Sequence, residues 1–237
     1  MTPSFPFWLH ALSILSLVLG MLCALVIVFD ETRRPQTMWI MNAVWPLTAL
    51  YAGVFGLVFY WRWSRSKSDH ATAGAEQAPW SVSVAKATTH CGAGCTLGDI
   101  IAEWTAFLIP AIAVAFGWKT LFTEKMFAIW VLDFVLAFLI GILFQYFTIQ
   151  PMRHLSVRAG LVAALKADGA SITAWQIGMY GAMAAIQFLW FRAAYGAMAP
   201  TDCPEFWFAM QLAMLCGFAT SFPANAALMH FGLKEPM

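Results

Sequence analysis

The sequence predicts an all-α polytopic membrane protein, built as a bundle of about six transmembrane helices with one amphipathic surface helix. Two observations support this fold class. Hydrophobic residues make up 61% of the 237 residues and charged residues only 11%, whereas soluble globular domains hold roughly 45–50% and 25%. The chain also has 20 Phe and 12 Trp, which suit lipid-facing and interfacial surfaces. The lipid bilayer is therefore the first predicted partner. A net charge of +1 gives no sign of a nucleic-acid partner.

Six segments have the length and composition of a membrane-spanning helix, which needs about 20 mostly apolar residues. They run approximately from Phe7 to Phe29, Trp39 to Trp63, Cys95 to Trp118, Met126 to Ile149, Ile172 to Ala194 and Pro204 to His230. No Lys or Arg precedes the first segment, so we interpret it as a retained helix and not as a cleaved signal peptide. Pro110 lies inside the third segment and predicts a kink there, because proline removes a backbone hydrogen bond.

The segments group into three predicted regions. Residues 1–63 form an N-terminal two-helix transmembrane hairpin, and residues 64–89, rich in Ser, Ala, Lys and Asp, form a flexible polar linker. Residues 90–237 form a four-helix transmembrane domain. Within that domain, residues 151–171 alternate apolar and basic positions at near-helical spacing. This pattern predicts the amphipathic surface helix, which we expect to end at Asp168 and the glycine that follows it.

Basic residues predict the orientation of the chain. Loops on the cytoplasmic side of a membrane are enriched in Lys and Arg. With the N-terminus inside, most Lys and Arg residues outside the spans fall on inner loops. The sequence therefore predicts that both termini are cytoplasmic and that the third helix enters the membrane from the cytoplasmic side.

The densest group of chemically active side chains lies at the start of the third segment. The sequence HCGAGC occupies residues 90–95 and is followed by Asp99 and Glu103. Cys95, Asp99 and Glu103 are four residues apart, so a helix places them on one face. Charged side chains near hydrocarbon are costly unless they pair or bind a ligand. This cluster is therefore the candidate functional site.

The residues before Cys95 are predicted to fold back over that face. Gly92 and Gly94 disfavour regular helix, and a bend there would bring His90 and Cys91 above the helix N-terminus. Thiolate, imidazole and carboxylate together suit a soft or borderline metal such as copper or zinc better than calcium or magnesium.

The first functional hypothesis is thus a membrane protein that binds such a transition metal. An extended version of this hypothesis is that the protein also transports the metal. The predicted metal ligands are His90, Cys91, Cys95 and Asp99. Asp133, inside the fourth segment, would form a proton or cation relay with Glu103, since buried acids often mark ion pathways. The alternative for Asp133 is a hydrogen bond to a neighbouring helix.

Three further side chains are weaker candidate ligands. Met179 and Met183 lie in the fifth segment, and His230 lies at the end of the sixth. Thioethers can bind Cu(I), although methionine at helical spacing is more often core filler. The histidines are not paired on facing helices, and the chain has no P-loop or dinucleotide fingerprint. We therefore expect neither haem nor a nucleotide, and the pattern points away from an enzyme.

Two hypotheses of other classes remain open. Cys91 and Cys95 could instead form a reversible dithiol in a redox membrane protein. Alternatively, the aromatic surface and the basic helix would dock a partner, as in an accessory subunit of a membrane complex. Small-residue pairs in the spans are compatible with a homo-oligomer.

Five stretches resemble a known family. They are Thr89–Ile100, Phe144–Tyr146, Pro151–Arg153, Lys166–Asp168 and Thr173–Gly181. The chain resembles bacterial integral membrane proteins grouped as a domain of unknown function, with the motif His-Cys-x-x-Gly-Cys-x-x-Gly-Asp. The resemblance runs from about Lys86 to the C-terminus. It implies a bacterial cytoplasmic-membrane protein centred on the motif residues, and it implies no activity.

Overall fold

The computed structural model describes residues 5–65 and 79–234, without the side chains of residues 151–153. Helices form nearly all of these two ranges. They are α1 (Phe7–Arg33), α2 (Met41–Phe59), a π-helical turn (Tyr60–Ser64), α3 (Trp80–Leu108), α4 (Pro110–Ala115), α5 (Lys125–Arg153), α6 (Val157–Ala184), a second π-helical segment (Ala185–Arg192), α7 (Ala193–Tyr195) and α8 (Pro204–His230).

The architecture is an all-α membrane bundle, as the composition predicts. Four helices in the described ranges have the length and composition to cross a membrane: α1, α2 with its π-helical turn, α5 and α8. The backbone of α2 is not helical at Gly53, where φ is 54° and ψ is −129°. Its two halves fold back on each other at this point, so that Trp45 packs against Phe59 and Tyr60. Large apolar side chains face outward along the bundle, among them Leu15, Leu139 and Leu189. Such a surface is favourable in lipid and costly in water.

Helix α3 lies at the centre of the bundle and contacts α2, α5, α6 and α8. It has 29 residues and α6 has 28, so each is about 43 Å long. Neither is among the four helices with the length and composition to cross a membrane. They bury several polar side chains against other helices, among them Thr88 and Asp99 of α3 and Asp168 and Gln176 of α6. This arrangement keeps polar side chains away from lipid, where they would lack hydrogen-bond partners.

Glycine residues let α3 and α5 approach closely. A Cβ atom on Gly94 would lie 2.8 Å from the Cα atom of Gly141, and one on Gly98 would lie 2.7 Å from the Cα atom of Ala137. A side chain at either glycine would therefore collide with the backbone of α5. Contact between small residues is a common way for membrane helices to pack.

The start of α3 differs from the sequence prediction. The predicted linker ends at residue 89, and its first part, residues 66–78, lies outside the described residues. Its last part is helical, because α3 begins at Trp80 and buries Val84, Ala87 and Thr88. The prediction of a bend at Gly92 and Gly94 is also wrong. Burial against neighbouring helices outweighs the weak helix propensity of these residues.

Two other helix boundaries differ from the prediction. Pro110 does not kink α3; the helix ends at Leu108 and Pro110 begins α4, where a missing N–H group costs nothing. The amphipathic stretch forms the first part of α6, with Leu161 and Leu165 exposed. It does not end at Asp168, because α6 runs on into the fifth predicted span.

Helices α1 and α2 pack on the remainder of the bundle. Helices α1 and α2 contact each other, α1 also contacts α8, and α2 contacts α3 and α8. The cluster around Trp45 includes Ala93 of α3 and Phe144 of α5. Helices α1 and α2 therefore share a core with the four helices that follow them.

Candidate functional site

One face of α3 carries four ionisable side chains. Cys91, Cys95, Asp99 and Glu103 recur every four residues, and none is more than 3% exposed. With a rise of about 1.5 Å per residue, they extend over about 18 Å of the helix. We call these four residues the α3 face. They form a buried polar line along the central helix of the bundle.

At one end of the α3 face lies a buried ion pair. The Lys234 Nζ atom is 2.6 Å from Asp168 Oδ1 and donates to Asn225 Oδ1 at 2.7 Å. It also lies 3.2 Å from the Cys91 sulfur. The Asp168 Oδ1 atom further accepts hydrogen bonds from the Cys91 thiol and the Ser171 hydroxyl, each at 2.7 Å. We call these five residues the Lys234 cluster.

Lys234 follows the end of α8 and lies outside the apolar spans. Burial acts to lower the pKa of its amine, but the Asp168 carboxylate and Cys91 beside it raise that pKa above the ordinary value on balance. The amine is therefore an ammonium ion that balances the charge of Asp168. Removing either partner of such a buried ion pair is strongly destabilising, because the other charge is then left buried without compensation.

A pair of acids from two helices lies further along the α3 face. The Asp99 carboxyl group of α3 lies near the Asp133 carboxyl group of α5. The Tyr180 hydroxyl is 2.9 Å from Asp133 Oδ2, and its ring stacks on Trp130 with centroids 4.6 Å apart. Among the described residues, both Asp99 oxygens and Asp133 Oδ1 have no hydrogen-bond donor. Buried acids inside a bundle are typical of proton and ion pathways.

The other end of the α3 face reaches a cavity. The Thr201 hydroxyl donates to Glu103 Oε2 at 3.0 Å. A cavity of about 340 Å³ lies beside this pair, and Lys125 and Gln187 also line it. Its volume is large enough for several water molecules. Glu103 thus lies beside a space for water. Asp99 lines a second cavity of about 300 Å³, whose other walls are mostly apolar.

In the structure, His90 points away from the other predicted metal ligands. The His90 Nε2 atom is 2.8 Å from Thr148 Oγ1, and the ring lies against Phe144 of α5. Because α3 stays helical, consecutive residues point about 100° apart. His90 therefore faces α5 and Cys91 faces the Lys234 cluster. The expected convergence of His90 and Cys91 over one face is wrong for this physical reason.

Two of the other candidate ligands share a buried cluster with the cysteines, and the third lies apart. Met179 and Met183 are buried in the apolar cluster that includes Cys91 and Cys95, whereas His230 is exposed at the end of α8. In residues 5–65 and 79–234, no three His, Cys, Asp or Glu side chains form a group that could hold a metal ion. All five cysteines are free thiols.

The sequence prediction missed most of the Lys234 cluster. Asp168 was expected to end a surface helix, and Lys234 lay beyond the last span. A usable signal was present on α8, where Ser221 and Asn225 are polar residues one turn apart in an apolar helix. Their spacing predicts a polar contact inside the bundle, and Ser221 does donate to the carbonyl oxygen of Ser171.

The chain matches a family model over most of its length. The model described as a domain of unknown function (DUF4396) matches residues 80–234, from the first residue of α3 to Lys234. The matched part includes the whole α3 face and the Lys234 cluster, and it leaves α1 and α2 outside. Comparison with curated proteins and with solved structures gave no match.

Proposed function

The chain belongs to the DUF4396 family, a domain of unknown function. We propose, from its buried side chains, that it conducts a cation along the α3 face. The proton is the first candidate for that cation. One observation carries the proposal. At three positions along α3, an ionisable residue lies beside a polar or charged side chain from another part of the chain. Asp168 lies beside Cys91, Asp133 beside Asp99, and Thr201 beside Glu103.

The spacing of the α3 face suits transfer between neighbours. Successive members are separated by about 6 Å along the helix, which is close to the span of one water molecule hydrogen-bonded at both ends. The cavity at Glu103 gives one end access to water. Following the distribution of basic residues, we assign the Lys234 end to the cytoplasm of a bacterial inner membrane. Helix α1 runs parallel to α8, because His10 contacts Glu205 and Ser16 contacts Gln211. The start of α1 therefore lies at the opposite end of the bundle from Lys234, in contrast to the prediction that both termini share one side.

The Glu103→Gln variant tests the proposal. We expect it to lower the initial rate of proton uptake by at least about tenfold, equivalent to a barrier raised by about 1.4 kcal/mol. The amide keeps the hydrogen bond from Thr201 but cannot release a proton. The measurement uses proteoliposomes that contain a pH-sensitive dye, with a potassium diffusion potential as the driving force.

Asp202→Asn serves as the matched control, because Asp202 is an exposed acid close to the Glu103 end. It should conduct like the wild-type protein. Equal rates in Glu103→Gln and Asp202→Asn would reject proton conduction through Glu103. Protein-free liposomes give the background rate.

A second candidate cargo is a soft transition metal ion. Cys91 and Cys95 support it, because these two free thiols are fully buried on adjacent turns of the α3 face. Two thiolates bind Cu(I) well and zinc also, and Asp99 lies one turn further on. His90 faces α5 and is not in this ligand set. The same burial disfavours thiol–disulfide exchange, which needs access for a second thiol.

Elemental analysis of protein purified without chelator tests the metal hypothesis. We expect close to one equivalent of copper or zinc after loading, and its loss in the Cys91→Ser/Cys95→Ser variant. Cys216→Ser is the control, because Cys216 is an exposed thiol on α8. Equal metal content in the wild-type protein and the double variant would reject the hypothesis and leave the proton as cargo.

A further inference from the structure

The Lys234 ammonium is surrounded as a bound cation would be. Four acceptor atoms lie around its Nζ atom: Asp168 Oδ1 at 2.6 Å, Asn225 Oδ1 at 2.7 Å, the Cys91 sulfur at 3.2 Å and the Ala87 carbonyl oxygen at 3.3 Å. These atoms come from α3, α6 and α8. The three helices therefore form the walls of a site for one positive charge.

The charged group in this site comes from outside the three helices. After α8 ends at His230, a short turn reverses the chain at Gly232, which has a φ of 68°. The backbone N–H groups of Leu233 and Lys234 both donate to the carbonyl oxygen of Leu228. The ammonium is thus presented by the turn after α8, whereas its acceptors belong to the helices themselves.

The site also holds a buried acceptor that its occupant does not use. Asp168 Oδ2 has no hydrogen-bond partner among the described residues, although the whole residue is inaccessible to solvent. Buried carboxylate oxygens normally have partners. A free cation that coordinates both oxygens would satisfy this atom, which the ammonium leaves unpaired.

We infer that the acceptors around Lys234 form a binding site for a free monovalent cation, and that Lys234 is an internal occupant that competes with it. The single carboxylate balances one positive charge. The mixed set of carboxylate, amide, carbonyl and sulfur donors suits an ammonium ion or a soft monovalent metal ion. Binding of a free cation at this site is an equilibrium property that is separate from conduction, so the flux measurements do not test it.

The test removes the internal cation and supplies a free one. Purified Lys234→Ala is titrated with methylammonium, potassium or silver nitrate in separate series, and thermal unfolding is followed at each concentration. At about 100 times the dissociation constant, the bound cation should lower the ratio of unfolded to folded protein about 100-fold. The melting temperature should therefore rise with cation concentration, and the wild-type protein should show no such rise.

Lys234→Ala/Asp168→Asn is the matched control, because it lacks the carboxylate and keeps every thiol that silver could bind elsewhere. Stabilisation of Lys234→Ala by methylammonium or potassium supports a site of ammonium type, and stabilisation by silver alone supports a soft-metal site. Equal stabilisation of the control, or none by any of the three cations, would overturn the inference.

Lys234→Met covers the case in which Lys234→Ala does not fold. Methionine keeps an unbranched apolar side chain and removes the charge. It should be recovered in folded form when the stabilising cation is present throughout purification. Failure of both variants to fold in the presence of each cation would also overturn the inference, since a free cation would then be unable to replace the ammonium.

Discussion

Replacing Asp168 by Asn is expected to lower the free energy of unfolding by about 3–5 kcal/mol, the usual cost of leaving one member of a buried ion pair without its partner. Lys234 and Asp168 have fully buried side chains, so no water compensates for the lost carboxylate. The measurement is thermal or denaturant-induced unfolding in detergent, followed by the near-ultraviolet signal of the tryptophan residues.

Two further variants separate the buried pair from a general effect of charge removal. Asp168→Asn/Lys234→Met removes both charges and should recover most of the lost stability, because no buried charge is then left without its partner. Arg192→Met breaks the Arg192–Glu124 pair, whose side chains are 52% and 28% exposed, and should cost less than about 1 kcal/mol. An Asp168→Asn variant as stable as Arg192→Met would show that the Lys234 cluster does not hold the helices together.

Replacing Asp133 by Asn is expected to lower proton flux about 100-fold, equivalent to a barrier raised by about 2.7 kcal/mol. The reason is geometric. Asp133 and Asp99 are the paired acids between the two ends of the α3 face, and an amide in place of one of them cannot take part in proton transfer. Initial uptake rates in proteoliposomes at matched protein density provide the measurement.

Tyr180→Phe is the control for hydrogen bonding at this level. It removes the hydroxyl that donates to Asp133 Oδ2 and leaves both carboxyl groups in place. Its flux should fall less than that of Asp133→Asn. If Tyr180→Phe lost as much flux as Asp133→Asn, orientation of Asp133 and not its proton would be the limiting property. Wild-type flux in Asp133→Asn would exclude Asp133 from the pathway.

The sequence was informative where a charged residue lies inside an apolar segment. Asp99, Glu103 and Asp133 stand out for this reason, because each must find a partner inside the bundle. Their helical spacing predicts the α3 face, and the length and apolar character of the segments predict the all-α membrane bundle. These inferences need only local composition and periodicity.

The Lys234 cluster could not be predicted in the same way. Lys234 and Asp168 are 66 residues apart, and each lies in a polar stretch where a solvated charge is the ordinary expectation. Their pairing depends on how α6 and α8 pack and on the turn after α8. Periodicity within one segment does not contain that information.

The error at His90 has a different physical origin. Intrinsic propensity predicts a break at Gly92 and Gly94, but these glycines are where neighbouring helices come close. Gly94 meets the backbone of Gly141, and the ring of Trp175 fills the space beside Gly92. Close packing at these two glycines keeps α3 helical. Because the helix is continuous, the side chains of His90 and Cys91 point in different directions.

The contact of Gly94 and Gly98 with the α5 backbone has a mechanical consequence. With no side chain between them, α3 and α5 cannot slide or tilt past each other at this level without a backbone collision. Asp99 is one residue from Gly98 and Asp133 is one turn from Ala137, so the distance between the two acids is fixed by the same contact. Movement of α3 against α5 is therefore restricted at this level. The break near Ile109 and the turn that presents Lys234 lie away from this contact.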